Sequence, residues 1–128
     1  TFRPLDSENV EEHKMHSEFY SVSENVIKEC VEAERVIAVG TTTVRALETA
    51  AFGELEGRTN IFIKRPFDFK IVDLLLTNFH LPKSTLLIML DAFLGERWKS
   101  LYEEALHENY RFLSFGDAML TQRQIFGN

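Results

Sequence analysis

Short apolar runs alternate with longer amphipathic stretches along the chain, which predicts strands interleaved with helices. Residues 17–22 alternate imperfectly between polar and apolar positions and indicate a strand. Ser23 follows them in a position to cap a helix. The run 36–39 is continuously apolar and ends at Gly40, a pattern typical of a strand buried on both faces of a parallel sheet.

The same alternation continues to the end of the chain. We expect, in order, a helix capped by Thr41 or Thr42, strands at 59–64 and 71–79, a buried helix at 85–94 capped by Ser84 and ended by Gly95, a helix at about 96–109, and one or two short strands within 110–120. This order predicts an α/β fold with a layered, mostly parallel sheet flanked by helices.

The composition narrows the class of protein. With 128 residues and 45% hydrophobic content, the chain can bury one core and forms one domain or part of one. No apolar run is long enough to span a bilayer. A net charge of −6 argues against a broad basic surface for nucleic acid, so any contact with a polynucleotide must be local. The abrupt start at Thr1, without an initiator Met, suggests an excised piece.

Polar residues crowd at the ends of two predicted strands, where parallel sheets usually bind ligands. After the strand at 36–39 come Gly40, Thr41, Thr42 and Arg45, which could hold an anion. An ordinary turn between a strand and a capped helix would also explain them. The later group contains Asn78, His80, Ser84 and Thr85, and it has more polar side chains than packing requires, although Ser84 has an adequate role as a cap.

Other polar residues have competing interpretations. The spacing of His13, His16 and Glu18 matches no mechanism-bearing metal motif, so we prefer proton transfer or hydrogen bonding for His16 and Glu18, with surface polar residues as the plainer alternative. Arg111 and Asp117 flank the last apolar runs and could simply pair at the sheet edge. Arg45 and Glu48, three apart on a predicted helix, could pair with each other.

Taken together and in order, these segments resemble the S-adenosylmethionine:tRNA ribosyltransferase-isomerase family of queuosine biosynthesis. The motifs that carry the resemblance are Thr1-Phe2-Arg3-Pro4, Met15-His16-Ser17-Glu18, Ala38-Val39-Gly40-Thr41-Thr42 with Arg45, Thr77-Asn78-Phe79-His80-Leu81-Pro82 with Ser84-Thr85-Leu86, and Tyr110-Arg111-Phe112 with Gly116-Asp117-Ala118-Met119. The resemblance implies that residues 1–128 are the C-terminal part of the α/β catalytic domain of a larger two-domain enzyme. The N-terminal portion and its inserted β-barrel domain would be absent, and the fragment alone would be inactive.

The resemblance also implies a reaction. The ribosyl group of S-adenosylmethionine moves to 7-aminomethyl-7-deazaguanine at the wobble position of tRNA and isomerises, which gives epoxyqueuosine and releases adenine and methionine. A base must remove the acidic proton beside the sulfonium, adenine must leave, and the amine must attack the sugar. The sulfonium itself activates that proton, so we expect no metal.

By chemical type, His80 or His16 is the candidate proton shuttle, while Glu18 and Asp117 are candidates for orienting ribose hydroxyls or the attacking amine. The candidates for binding S-adenosylmethionine or a tRNA phosphate are Gly40, Thr41, Thr42, Arg45, Asn78, Ser84, Thr85 and Arg111.

The expected partners are S-adenosylmethionine and the tRNA anticodon stem-loop, in the cytoplasm and away from membranes. The alternative is a noncatalytic α/β module that binds a nucleotide or a partner protein through its strand-end loops. The enzyme interpretation requires that the two polar clusters converge on one cavity, with Arg45 and His80 facing it.

Overall fold

The computed structural model describes residues 17–80 and 84–124. Its strands are β1 (Glu18–Ser21), β2 (Ile37–Val39), β3 (Glu56–Thr59), β4 (Leu74–Asn78) and β5 (Ala118–Gln122). Its helices are α1 (Glu24–Glu32), α2 (Thr41–Ala50), α3 (Thr85–Leu94) and α4 (Arg97–His107). The mixed α/β class predicted from the sequence is confirmed. No helix within the described ranges is long and apolar enough to cross a membrane.

The described strands form two small sheets. One contains β2, β4 and β5 in that order, with β2 parallel to β4 and β5 antiparallel to it. The other is an antiparallel pair of β1 and β3. A mostly parallel sheet is therefore not confirmed for this part of the chain, because one of these three pairings is parallel and two are antiparallel.

The core lies between one face of the three-stranded sheet and helices α2 and α3. Leu75 in the central strand and Val44 in α2 are completely buried. Eight of the ten residues of α3 are buried, which confirms the prediction of a buried helix at 85–94. Gly95 ends α3 as expected, with a φ of 67° that suits glycine.

The other face of the same sheet is apolar and exposed. Val39, Leu76 and Leu120 are direct neighbours across the three strands, so their side chains share a face. Val39 is 65% exposed, Leu120 58% and Ile37 54%. The prediction that β2 is buried on both faces is therefore wrong for the described residues: Ala38 points into the core, and its two neighbours point outward.

The prediction of a strand at 59–64 is also wrong. The observed strand β3 ends at Thr59, where the predicted strand was expected to begin. The hydroxyl of Thr59 accepts a hydrogen bond from the backbone N–H of Ile61 at 3.1 Å, a local turn that competes with a strand ladder. Ile63 is buried all the same. The apolar run thus packs against the core without pairing as a strand.

Candidate active site

The carboxyl ends of β2 and β4 lie side by side, because these strands are parallel neighbours. The backbone N–H of Gly40 donates to the carbonyl of Leu76 at 2.9 Å. Gly40 has a φ of 93°, which residues with side chains rarely adopt. The start of α2 and the polar segment after β4 therefore meet at one edge of the sheet, as the sequence predicted. We call this the strand-end edge.

Gly40 itself occupies the N-cap position of α2, and α2 has no side-chain cap hydrogen bond. The prediction that Thr41 or Thr42 caps this helix is therefore wrong. Thr41 is buried and begins the helix, whereas Thr42 is exposed. A glycine at the N-cap leaves backbone close to the strand-end edge without a side chain in the way.

Asn78, Arg111 and Asp117 form a hydrogen-bonded group at this edge. The side-chain amide of Asn78 donates to the backbone carbonyl of Asp117 at 3.0 Å. Arg111 donates to the Asp117 carboxylate through its backbone N–H at 2.5 Å and through Nε and Nη2 at 3.2 and 3.3 Å. The plainer expectation, that Arg111 and Asp117 pair with each other, is confirmed.

The hydrogen bonds from Arg111 hold the pKa of the Asp117 carboxyl below its usual range and raise the pKa of the guanidinium. Asp117 is therefore ionised at neutral pH, with three donors aimed at its two oxygens. Such a carboxylate is suited to positioning Arg111 and to accepting a further hydroxyl, and it is poorly suited to taking up a proton.

His80 lies just beyond β4 and is 7% exposed. Its Nε2 is 3.0 Å from the hydroxyl of Thr77, and its backbone N–H donates to the phenolic oxygen of Tyr102 at 2.8 Å. Burial lowers the pKa of the imidazole to about 4. His80 is therefore neutral at pH 7, but at this pKa its imidazole is a weak base, so a role in proton transfer would require that substrate binding raises the pKa.

Arg45 and Glu18 bind each other. Arg45 is 4% exposed, and its Nη1 donates to a Glu18 carboxylate oxygen at 2.9 Å. Its Nη2 donates to the carbonyl of Ile61 at 3.3 Å. This pair ties the β1–β3 sheet to α2. The expected pairing of Arg45 with Glu48 is wrong, because the Glu48 carboxylate accepts three backbone N–H groups from residues 70–72.

Ser84 and Thr85 stand at the N-terminus of α3, which follows the strand-end edge. They are 1% and 4% exposed, and neither hydroxyl has a hydrogen-bond partner among the described residues. Ser84 occupies the N-cap position, as predicted, but its side chain makes no cap hydrogen bond. A buried hydroxyl without a partner costs free energy, so two adjacent ones at a helix N-terminus call for an explanation.

Two cavities stand out among the described residues. One of about 830 Å³ is lined by residues of α1, the end of α2 and Ile71. Another of about 450 Å³ lies between α4 and β5. Neither is lined by Arg45 or His80, and both side chains are buried by their neighbours. The two polar clusters thus meet at one edge, but the expectation that Arg45 and His80 face one open cavity is not met in this part of the chain.

Sequence reasoning missed two side chains that position His80. Tyr102 lies in the helix predicted at about 96–109 and Thr77 in the strand predicted at 71–79, and neither was given a functional role, yet their hydroxyls contact His80. A buried tyrosine hydroxyl requires a partner, which is the signal that could have indicated a role for Tyr102. His16, the other candidate proton shuttle, lies outside the described residues.

The comparisons with known proteins agree with the motifs. The family described as "Queuosine biosynthesis protein" matches residues 1–121. Curated relatives named S-adenosylmethionine:tRNA ribosyltransferase-isomerase include proteins of Thermotoga petrophila, 54% identical over 94% of this chain, and of Halothermothrix orenii, 52% identical over 94%. The chain spans 38% of the length of each of these two relatives.

A solved structure is similar as well. The crystal structure titled S-adenosylmethionine tRNA ribosyltransferase from Thermotoga maritima matches with a TM-score of 0.74 and 49% sequence identity. The match covers 80% of this chain and 40% of that one. Because the family match extends over nearly the whole sequence, the chain belongs to the queuosine biosynthesis protein family.

Proposed function

We propose that this chain is the C-terminal part of the catalytic α/β domain of an S-adenosylmethionine:tRNA ribosyltransferase-isomerase. The whole enzyme would transfer the ribosyl group of S-adenosylmethionine to 7-aminomethyl-7-deazaguanine at the tRNA wobble position and isomerise it to epoxyqueuosine, with release of adenine and methionine. Its substrate RNA would be the anticodon stem-loop of a cytoplasmic tRNA. The observation that carries the proposal is the identity of about half over 94% of the chain.

The chain alone would be inactive, because it spans little more than a third of the length of its relatives. The bare apolar face around Val39 and Leu120 supports this view, since sheets of α/β enzymes are normally covered on both faces. We propose that the remaining polypeptide, including a second domain, covers this face and extends the sheet. The same portion would complete the cavity at the strand-end edge.

The N-terminus of α3 is the proposed anion site. Helix N-termini attract carboxylates and phosphates, because backbone N–H groups and the helix dipole point toward the ligand. The hydroxyls of Ser84 and Thr85, which have no partner among the described residues, would supply two further donors. The methionine carboxylate of S-adenosylmethionine is the proposed occupant, and Gly40, Thr41 and Thr42 would lie against the rest of the ligand.

Proton transfer is assigned to His80, with His16 as the alternative. A neutral imidazole near the strand-end edge could take the proton beside the sulfonium, while Thr77 and Tyr102 hold its ring and backbone. Asp117 and Asn78 would orient ribose hydroxyls or the attacking amine, together with Arg111. Arg45 and Glu18 would act mainly by fixing α2 against the β1–β3 sheet.

Adenine release by a chain restored to the length of its relatives tests the proposal. The assay compares a stem-loop bearing 7-aminomethyl-7-deazaguanine with the same stem-loop bearing guanine. We expect adenine only with the aminomethyl base, and at least 100-fold less from His80→Ala, since a positioned general base contributes about 10²–10⁴-fold. A restored, folded chain that releases no adenine with either RNA would refute the function. Unchanged turnover of His80→Ala would remove only the role of His80.

A further inference from the structure

The loop at residues 110–117 presents an aromatic ring to solvent beside the strand-end edge. Phe115 is 71% exposed, and its backbone N–H donates to the carbonyl of Phe112 at 3.3 Å in a tight turn. Covering such a ring with a ligand would remove apolar surface from water, which favours binding.

A guanidinium paired with a carboxylate lies in the same loop as that ring. Arg111 is held by two side-chain hydrogen bonds to Asp117, and its guanidinium covers Gly116. A Cβ built at Gly116 would lie 3.1 Å from two guanidinium atoms, so a larger residue there would push Arg111 aside by a few tenths of an ångström. The φ of Gly116, 126°, favours glycine at this position. The turn therefore holds Arg111 and Asp117 together in the loop that carries Phe115.

The loop is anchored to the sheet at both ends. The backbone N–H of Leu113 donates to the carbonyl of Phe79 at 2.8 Å, and Asn78 holds the carbonyl of Asp117. The ring of Tyr110, 47% exposed, packs edge-on against buried Phe79 with centroids 5.6 Å apart. These contacts hold the loop against Asn78 and Phe79, the two residues that precede His80 in the chain.

We propose that the 110–117 loop binds an unstacked nucleobase of the substrate RNA, with Phe115 as the stacking face. Recognition of single-stranded RNA commonly stacks bases on aromatic rings or on arginine planes. Stacking suits this chain better than phosphate binding, because its net charge is −6 and the charge of Arg111 is compensated by Asp117. The inference rests on the proposed function and adds the residues that hold the RNA.

Affinity for RNA tests the assignment in the chain restored to the length of its relatives. The probe is a fluorescein-labelled stem-loop RNA bearing 7-aminomethyl-7-deazaguanine, followed by anisotropy. We expect Phe115→Ala to weaken binding about tenfold or more, as loss of one base–aromatic stack does. Phe115→Leu should weaken it similarly, because leucine has no π face. Phe115→Trp should retain the affinity.

Phe52→Ala is the matched control, because Phe52 is 72% exposed and follows the end of α2, away from the strand-end edge. In adenine release, Phe115→Ala should raise the KM for RNA while kcat changes less than twofold. The slope of log Kd against log salt should stay unchanged, since no phosphate contact is lost.

Three outcomes would overturn the assignment. The first is an unchanged affinity of Phe115→Ala in a restored chain that still releases adenine, which would leave the proposed function standing. The second is a lowered melting temperature with unchanged affinity, which would mean that the rest of the polypeptide covers Phe115. The third is a wild-type restored chain that neither binds the RNA nor releases adenine, which would refute the proposed function as well.

Discussion

Glu48 is a buried carboxylate with a structural task. Its side chain is 1% exposed, and its two oxygens accept the backbone N–H groups of Lys70, Ile71 and Val72 at 2.7 to 3.0 Å. Three donors compensate much of the cost of burying the charge. These hydrogen bonds fix residues 70–72, which lead into β4, against α2. They therefore help to position the central strand of the sheet relative to that helix.

Glu48→Gln should destabilise the chain strongly. The amide keeps the size of the carboxylate but turns an NH₂ group toward backbone donors, which leaves buried N–H groups unsatisfied. We expect a loss of about 2–4 kcal/mol in the free energy of unfolding. Urea denaturation measures it, with Glu103→Gln on the exposed side of α4 as the control. Equal midpoints for the two variants would contradict the structural role.

The burial of His80 predicts a pH dependence of stability. Its pKa is about 4 in the folded chain, against 6.5 for the exposed side chain. Between these values the unfolded chain binds a proton that the folded chain does not, so the free energy of unfolding falls as the pH drops from 6.5 toward 4. The contribution of His80 to the free energy of unfolding is therefore fully present above pH 6.5 and decreases below it.

In His80→Gln the decline in stability over that pH window should be shallower than in the parent chain. Urea titrations at pH 7, 5.5 and 4.5 test this, with His107→Gln as the control, because the His107 side chain is 83% exposed. Parallel pH curves for His80→Gln and the parent would show that the imidazole is not desolvated.

At the residue scale, the sequence indicated which side chains are unusual but not what they contact. Arg45 and Glu48 are three apart on one helix, yet each binds a group from a distant segment. Such partners are set by tertiary packing, and the spacing of residues along one helix does not predict them. The pairing of Arg111 with Asp117 was easier to predict, because the two residues are only six positions apart and a turn brings them together.

At the scale of elements, the two serines at helix N-caps have different roles: one stabilises its helix, and the other is proposed to bind a ligand. The hydroxyl of Ser23 accepts the backbone N–H of Val26 at 3.2 Å, whereas that of Ser84 caps nothing. Ser23→Ala should therefore cost about 1 kcal/mol and increase hydrogen exchange in α1. Ser84→Ala should leave stability unchanged or higher, because it removes a buried hydroxyl that has no hydrogen-bond partner in the described part of the chain. Equal losses, measured by urea denaturation, would contradict the assignment of Ser84 to a ligand.

Elements with a strong periodic or capping signal were predicted well. The bounds of α3 follow directly from the apolar run 85–94 and Gly95. The prediction of a strand at 59–64 was wrong because the hydroxyl of Thr59 accepts the backbone N–H of Ile61, and this local turn replaces strand pairing. The antiparallel pairing of β5 with β4 was not predicted either, because the sequence pattern of a strand does not show its direction relative to its neighbour. The polar strand-end segments were located correctly, but the cavity between them was not found in the described residues.

The apolar sheet face is a property of the whole molecule. Val39→Lys should change the stability of this chain by less than about 1 kcal/mol, because the side chain is 65% exposed. In a chain restored to the length of its relatives, the same change should cost several kcal/mol, since a charge would then be buried without a partner. Val31→Lys, at a 70% exposed position in α1, is the control. Equal effects of Val39→Lys in both chains would show that the face stays bare.

The central claim is that the strand-end edge of β2 and β4 binds S-adenosylmethionine. Hydrogen–deuterium exchange of the restored chain, with and without S-adenosylmethionine, tests it most directly. We predict slower exchange in peptides covering residues 40–45 and 84–88, where the ligand would contact backbone amides. Protection confined to the cavities beside α1 or α4, with none at the strand-end edge, would contradict the account.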